Sequence, residues 1–299
     1  MVFQIVINGL IAGLLAALVA LGFSLIYSST RFFHVAHGAI YALASYLFLG
    51  WTLIFSSTSV SVGAWFIPVG VLLALALAGV AAVSVEILIY RPLYLRAASP
   101  LVIFLSSLGL YIVIVNLIAL LFGNETRLLN PHNESPIPLG PVVVTKIQIL
   151  QAVVSAVTIF IVFVLLKRTS LGRNIRAMSD NPTLVGILGL DPKKIRLLIF
   201  FIGSILAALS SLLRGFDVGV NPYVGLPIVL IATVAVIIGG IGSHVGAVIS
   251  ALLLGVTQNL VTGFFSATWK EAVTFVVFIL VLMLRRQGLF ASKMRLEEQ

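Results

Sequence analysis

Apolar runs of roughly twenty residues, broken by short polar stretches, fill the chain from end to end. A run of that length crosses a hydrocarbon core of about 30 Å as a helix. The pattern predicts spans over 5–27, 37–55, 66–85, 101–122, 147–166, 197–213, 226–238, 245–264 and 266–284. Nine spans result, or eight if 226–238, short for a crossing, is a broken or re-entrant helix. The fold class is therefore all-α, a polytopic transmembrane bundle of 8–9 spans forming one domain over 1–299. The first run carries no charge, and its first cation, Arg31, comes after it, so it reads as a retained span with its N-terminus outside. Gly9 and Gly13 form a G-x-x-x-G on that span, a face along which a second helix can approach closely.

Charge sets the sidedness. The stretch 167–196 holds Lys167, Arg168, Arg173, Arg176, Lys193, Lys194 and Arg196 against only Asp180 and Asp191, and such an excess marks a cytoplasmic loop. The breaks after Arg31, after the span that delivers Glu86, Arg91 and Arg96, and at Arg285-Arg286 fall on the same side, so the C-terminus is cytoplasmic. The break 123–146 carries Pro131, Pro136, Pro138 and Pro141 with balanced charge and reads as an external loop. A Ser-rich turn over 56–63 is external too, and Arg214 and Asp217 sit near the external face before the turn at Asn221-Pro222.

Within the basic loop, Asn181-Pro182 and Asp191-Pro192 each place a capping side chain before a proline suited to the first helical position. Two helices are expected to begin there. The first, through Leu184, Val185, Gly186, Ile187 and Leu188, is stopped by Gly189 and is too short to hold by itself in water. Its apolar side chains either dock on a partner protein or fold back on the membrane face of this one, and the pattern favours neither. The second carries Lys193, Lys194 and Arg196 in its first turn, where the helix dipole disfavours cations. Attraction to anionic headgroups is the expected reason for them.

Composition narrows the function. With 61% hydrophobic and 9% charged residues the chain is an integral membrane protein. Its net charge of +9 lies in loops and span ends, without the basic face or aromatic platforms that nucleic acid needs. There is no cysteine, hence no thiolate site. No G-x-x-x-x-G-K-[ST] occurs, and the glycines Gly239, Gly240, Gly242 and Gly246 lack the lysine of a phosphate loop, so a tight bend with close helix packing is their expected role. No metal or nucleophile constellation is present, and an enzyme has no residues to rest on.

An ion-coupled carrier or channel is the rival class, but such coupling uses ionisable groups deep in the bundle, and every Asp and Glu falls in a loop or at a span end. Glu86 is expected to be an ion-pair partner there. Interior polar candidates for a solute path are Asn8, His37, Tyr41, Asn116, His244, Gln258 and Asn259, with Ser24, Ser106, Ser107 and Thr233 beside them. Each taken singly is more often an interhelical hydrogen-bonding residue than a ligand contact. A mostly neutral path of this kind suits a small zwitterionic or uncharged solute.

Five segments in order carry a resemblance: Gly9 through Tyr27; Phe33-His34-Val35-Ala36-His37-Gly38; Glu86 with Tyr90-Arg91-Pro92-Leu93; Leu171-Gly172-Arg173-Asn174-Ile175-Arg176-Ala177 leading to Gly186-Ile187-Leu188-Gly189-Leu190; and Gly239-Gly240-Ile241-Gly242-Ser243-His244-Val245-Gly246-Ala247. The chain resembles the permease subunits of branched-chain amino acid ABC importers along nearly its whole length. His34 stands where that family usually has Asn, and Ile249-Ser250-Ala251 replaces a glycine-rich continuation. The resemblance implies a subunit of the bacterial or archaeal cytoplasmic membrane. It pairs with a second permease, two cytoplasmic ATPases that bind ATP and Mg, and an external solute-binding protein; this chain binds no cofactor itself. It also implies that Arg173, Arg176, Asp180, Asn181, Leu184, Gly186, Leu188 and Gly189 form the element that couples to an ATPase. Related permeases carry urea or short amides, so the solute is either a branched-chain or similar small amino acid or one of those.

Overall fold

The computed structural model describes residues 1–56, 65–129 and 136–290; most of the Ser-rich turn, with Pro131 and Glu134, lies outside them. Twelve helices and one hairpin follow in chain order: α1 (Val2–Thr30), α2 (Ala36–Ser56), α3 (Phe66–Val85), α4 (Arg91–Leu95), α5 (Pro100–Phe122), β1 (Ile137–Leu139), β2 (Val142–Val144), α6 (Lys146–Arg168), α7 (Ser170–Asp180), α8 (Pro182–Ile187), α9 (Pro192–Val218), α10 (Gly225–Gly239), α11 (His244–Phe264) and α12 (Trp269–Leu284). Among the described residues eight helices are long and apolar enough to cross a membrane, α10 counting together with the 3-10 turn Pro222–Val224 before it. The difference between eight and nine rests on α12, which has 16 residues.

α1 is the axis of the bundle. Every residue from Leu15 to Ile26 is buried, enclosed by α6, α9, α10 and α11. Glycine makes this crowding feasible, because with no gain from expelling water, membrane helices pack by close backbone approach. A Cβ on Gly9 would lie 2.8 Å from Val256 Cα, and one on Gly13 2.9 Å from Leu252 Cα, both on α11. Deeper in, Gly22 meets Gly203 of α9 backbone to backbone. The outward faces of α3, α5 and α6 carry exposed Leu, Val, Ile and Phe, as helices bordering lipid do.

α2 and α10 both start inside the bundle. The link 31–35 turns at Arg31, whose φ is 59°, and then buries Phe32 and His34. His34 lies 5.3 Å from the ring of Phe200 on α9, eight residues and hence about 12 Å from the start of that helix. On the other side, the chain leaving α9 is bridged by Arg127 and Val220, each backbone N–H giving a 2.9 Å bond to the other's carbonyl, and Pro222 is buried. The first turns of α2 and α10 then touch, with a Cβ on Gly38 falling 2.6 Å from the Gly225 carbonyl oxygen. The sequence reads the first of these links as a cytoplasmic break because it contains Arg31; Phe32 and His34 after it are buried and carry the chain back in.

The third span is longer than expected. It runs past Val85 through a π-turn, Glu86–Tyr90, into α4. Pro92 has no N–H and crowds the carbonyl four residues earlier, and the ladder widens so that the Arg91 N–H bonds Glu86 O, a five-residue step. Glu86 is thereby turned inward and buried.

Candidate functional site

The candidate site residues fall in two regions at opposite ends of α1. The end carrying α7 and α8 is the basic end. The end carrying the β1–β2 hairpin is marked by Gln4, which donates to Val143 O at 2.8 Å and accepts from Val143 N at 2.7 Å.

At the basic end, Thr169 ends α6 and caps α7, its side chain accepting from Gly172 N at 3.1 Å. α7 buries Gly172, Ile175 and Met178, a spacing that lays one face on the bundle. Ser179 donates to Ser28 Oγ at 3.0 Å, Arg31 donates to Ser179 O at 2.8 Å, and Arg176 donates to Leu166 O. The loop is thus clamped to the end of α1. Sequence reasoning found the helix starts at Pro182 and Pro192 but missed α7, whose apolar Leu171, Ile175 and Met178 recur at helical spacing behind a threonine cap.

α8 ends where Gly189, at φ 78°, turns the chain, with Leu190 N bonding Val185 O at 3.2 Å, the glycine-terminated stop expected of it. Val185 is buried, while Gly186, Ile187, Leu188 and Gly189 are exposed; the side chain of Leu184 lies outside the described residues. Arg173, Arg176 and Asp180 are exposed on α7, and Asn181 is its C-cap. Asp191 caps α9 through Lys193 N at 2.9 Å. Lys193 and Lys194 are exposed, whereas Arg196, expected with them to meet lipid headgroups, pairs with Glu86 at 3.6 Å and lies 4.4 Å over the Tyr94 ring.

At the hairpin end a cavity of about 590 Å³ opens between α1, α2, α6, α9, α11, α12 and α10 with the link before it. Of the expected solute-path residues, it gathers Asn8, Tyr41 and Gln258. The others lie elsewhere. Asn116 is exposed on α5 and bonds its own helix at Ile112 O, 2.8 Å away, and Asn259 does the same at Gly255 O, 3.0 Å. His244 starts α11 at the basic end, 2.8 Å from Ser24 Oγ. His37 is buried on the first turn of α2, its ring 6.2 Å from Phe23.

The cavity also holds four charged residues: Arg214 and Asp217 from α9, and Lys270 and Glu271 from the first turn of α12. The hollow is therefore not neutral, since carboxylates that look peripheral in sequence line it together with two cations. Arg214 and Asp217, three residues apart on one helix, share a face, and Arg214 and Ser210 lie beside the Tyr41 hydroxyl. Gln151 is buried in the wall, donates to Leu213 O at 2.9 Å, and leaves its Oε1 without a hydrogen-bond partner among the described residues. Gln148 is committed to the capping box of α6 with Thr145. Toward the basic end α1 is buried from Leu15 to Ile26, and the rings of Phe23, Tyr27 and Phe33 cluster there with centroids 5.0 to 6.2 Å apart.

Gly9 and Gly13 lie against α11, and Gly239 of α10 meets Gly246 of α11 backbone to backbone. Between them Gly240 and Gly242 have φ of 96° and 90°, a turn that favours residues without a Cβ.

The family described as the permease component of branched-chain amino acid transport systems matches residues 5–282. The chain belongs to that family. The high-affinity branched-chain amino acid transport system permease protein BraD of Pseudomonas aeruginosa is 32% identical to this permease, over 96% of this chain and 94% of its own length. The LivH permease proteins of the same kind of system are 27% identical in Escherichia coli and 28% in Salmonella typhimurium, again over 96% of this chain and 94% of theirs. No solved structure matches the chain. The chain is a permease component of the ABC transporters for branched-chain amino acids, a multi-pass protein of the inner membrane, and the readings as an ion-coupled carrier or channel give way to it.

Proposed function

We propose that this permease is one half of the membrane channel of an ATP-driven importer. It pairs with a homologous second permease, takes branched-chain or related small amino acids from an external binding protein, and is driven by two cytoplasmic ATPases that hold ATP and Mg. In this arrangement the basic end faces the cytoplasm, as its excess of Lys and Arg requires, and the cavity opens outward.

The observation that carries the reading is α8. It stands beyond a clamped amphipathic helix, buries only Val185 among its described side chains, and presents Ile187 and, just past its end, Leu188 to solvent at 75% and 74% exposure. Adjacent exposed apolar residues on a short helix at a polar surface fit a groove on a partner. Because α7 is tied to Ser28 and Arg31 at the end of α1, a push on α8 reaches the rod whose far half lines the cavity.

Leu188→Asp or Gly186→Asp is expected to reduce ATP-driven uptake in whole cells to background and to release the ATPases during purification, with membrane insertion unchanged. Normal uptake by both variants would remove the coupling role. Sidedness has its own test. The chain has no cysteine, so Asp180→Cys provides a unique thiol on this chain, expected to react with an impermeant maleimide only after the inner face is opened.

A further inference from the structure

The cavity at the hairpin end carries charged as well as polar and apolar lining. We propose that it is a binding site for the zwitterionic head of a free amino acid, with Arg214 and Lys270 receiving the carboxylate and Asp217 and Glu271 receiving the ammonium. This rests on the importer reading above and deepens it by assigning the solute's charges to residues.

Three observations carry the assignment. First, the charges are balanced, two of each sign around one hollow. A site for an anion or a cation collects one sign, and ionisable groups in a membrane bundle face a cavity because lipid excludes them. Second, the charges are divided between two helices, α9 and α12, whose ends approach across the hollow: Lys270 feels both Arg214 and Glu271. Each helix supplies one group of each sign, so a zwitterion can bridge the two helices in either orientation. Third, the rest of the lining is mixed. Ile11, Leu15, Ile228 and Ile231 provide an apolar wall, while Gln151 Oε1 is an acceptor with no partner among the described residues. A hollow of about 590 Å³ is within the usual range of small-molecule sites, about 300–1,000 Å³, and leaves room for water beside one amino acid.

The test uses the assembled transporter in lipid vesicles. Val218 lines the cavity and is 54% exposed; as Val218→Cys it gives a single thiol on this chain, whose reaction with a maleimide is followed by the chain's mass. Leucine is expected to slow the reaction. 4-Methylpentanoate, which keeps only the carboxylate, and 3-methylbutylamine, which keeps only the ammonium, are expected to protect at roughly ten- to a hundredfold higher concentration, the loss of one charge-assisted hydrogen bond. Arg214→Gln should weaken protection by leucine and by the acid while sparing the amine. Asp217→Asn should weaken leucine and the amine while sparing the acid.

Glu271 is exposed, so Glu271→Gln leaves folding intact and supplies the amine arm if a helix α9 variant fails to assemble on size exclusion. Lack of protection by leucine near its solubility limit, or equal protection in all variants, overturns the proposal. ATP-driven leucine uptake by the parent complex is measured in the same vesicles. Uptake without protection sinks the binding site alone, whereas no uptake sinks the importer reading.

Discussion

Gly22→Leu is expected to leave almost no folded permease in the membrane, while Gly109→Leu is expected to accumulate like the parent. Both are glycines within apolar helices, and composition does not distinguish them. The difference lies in what the new side chain meets. A Cβ at Gly22 lands on the Gly203 carbonyl, and one at Gly203 would come within 2.8 Å of the Gly22 carbonyl oxygen, whereas a Cβ at Gly109 finds nothing within 4 Å. Overpacking a core costs about 1–3 kcal/mol when neighbouring side chains can turn aside. Here the obstacle is backbone on both helices, so α1 and α9 must separate. Those two helices hold the buried half of the axis, and proteins have only about 5–15 kcal/mol of stability to lose. Gly22→Ala should fall between. Yield of the monodisperse protein on size exclusion decides it; equal yields for Gly22→Leu and Gly109→Leu would show that the α1–α9 approach is not what holds the bundle together.

The same pair of glycines marks the limit of what the sequence discloses. Hydropathy alone placed the long helices, since each needs a length and polarity that lipid dictates locally. Capping dipeptides placed the starts of α8 and α9 to the residue, because a cap is a contact between neighbours in sequence. Gly9 and Gly13 were visible as a motif, but Gly22 and Gly203 were not, because their meeting depends on how two distant helices cross. The cavity was hidden for a similar reason. Arg214 and Asp217 looked like ordinary residues at a helix end, and Lys270 and Glu271 lie 56 positions after Arg214 and 54 after Asp217; only the fold brings them to one hollow. Asn116 misled in the opposite direction. A polar residue in a span suggested an interior role, yet its amide is satisfied by its own helix at Ile112 O, which lets it face outward at little cost.

Arg196→Met is expected to destabilise the permease by about 3–5 kcal/mol, the usual cost of leaving one member of a buried pair without its counter-ion. Glu86→Gln should cost clearly less. The asymmetry follows from burial: the Glu86 side chain is 3% exposed and the Arg196 side chain 22%. An arginine that loses its partner can still reach water along its flexible stem, but a carboxylate turned inward by the π-turn cannot and must either stay charged in the bundle or take up a proton, each at a cost. Arg91 also acts on Glu86, more weakly than Arg196 does, which places the expected loss toward the lower figure. Losing the guanidinium additionally uncovers the Tyr94 ring, 4.4 Å below it. The double variant Glu86→Gln with Arg196→Met should recover much of the loss, because a neutral amide beside an apolar chain no longer strands a charge. Thermal unfolding of the four purified proteins in detergent gives the coupling between the two positions. If Arg196→Met unfolds at the parent's temperature, the pair does not hold α9 to the π-turn, and the burial of Glu86 needs another cause.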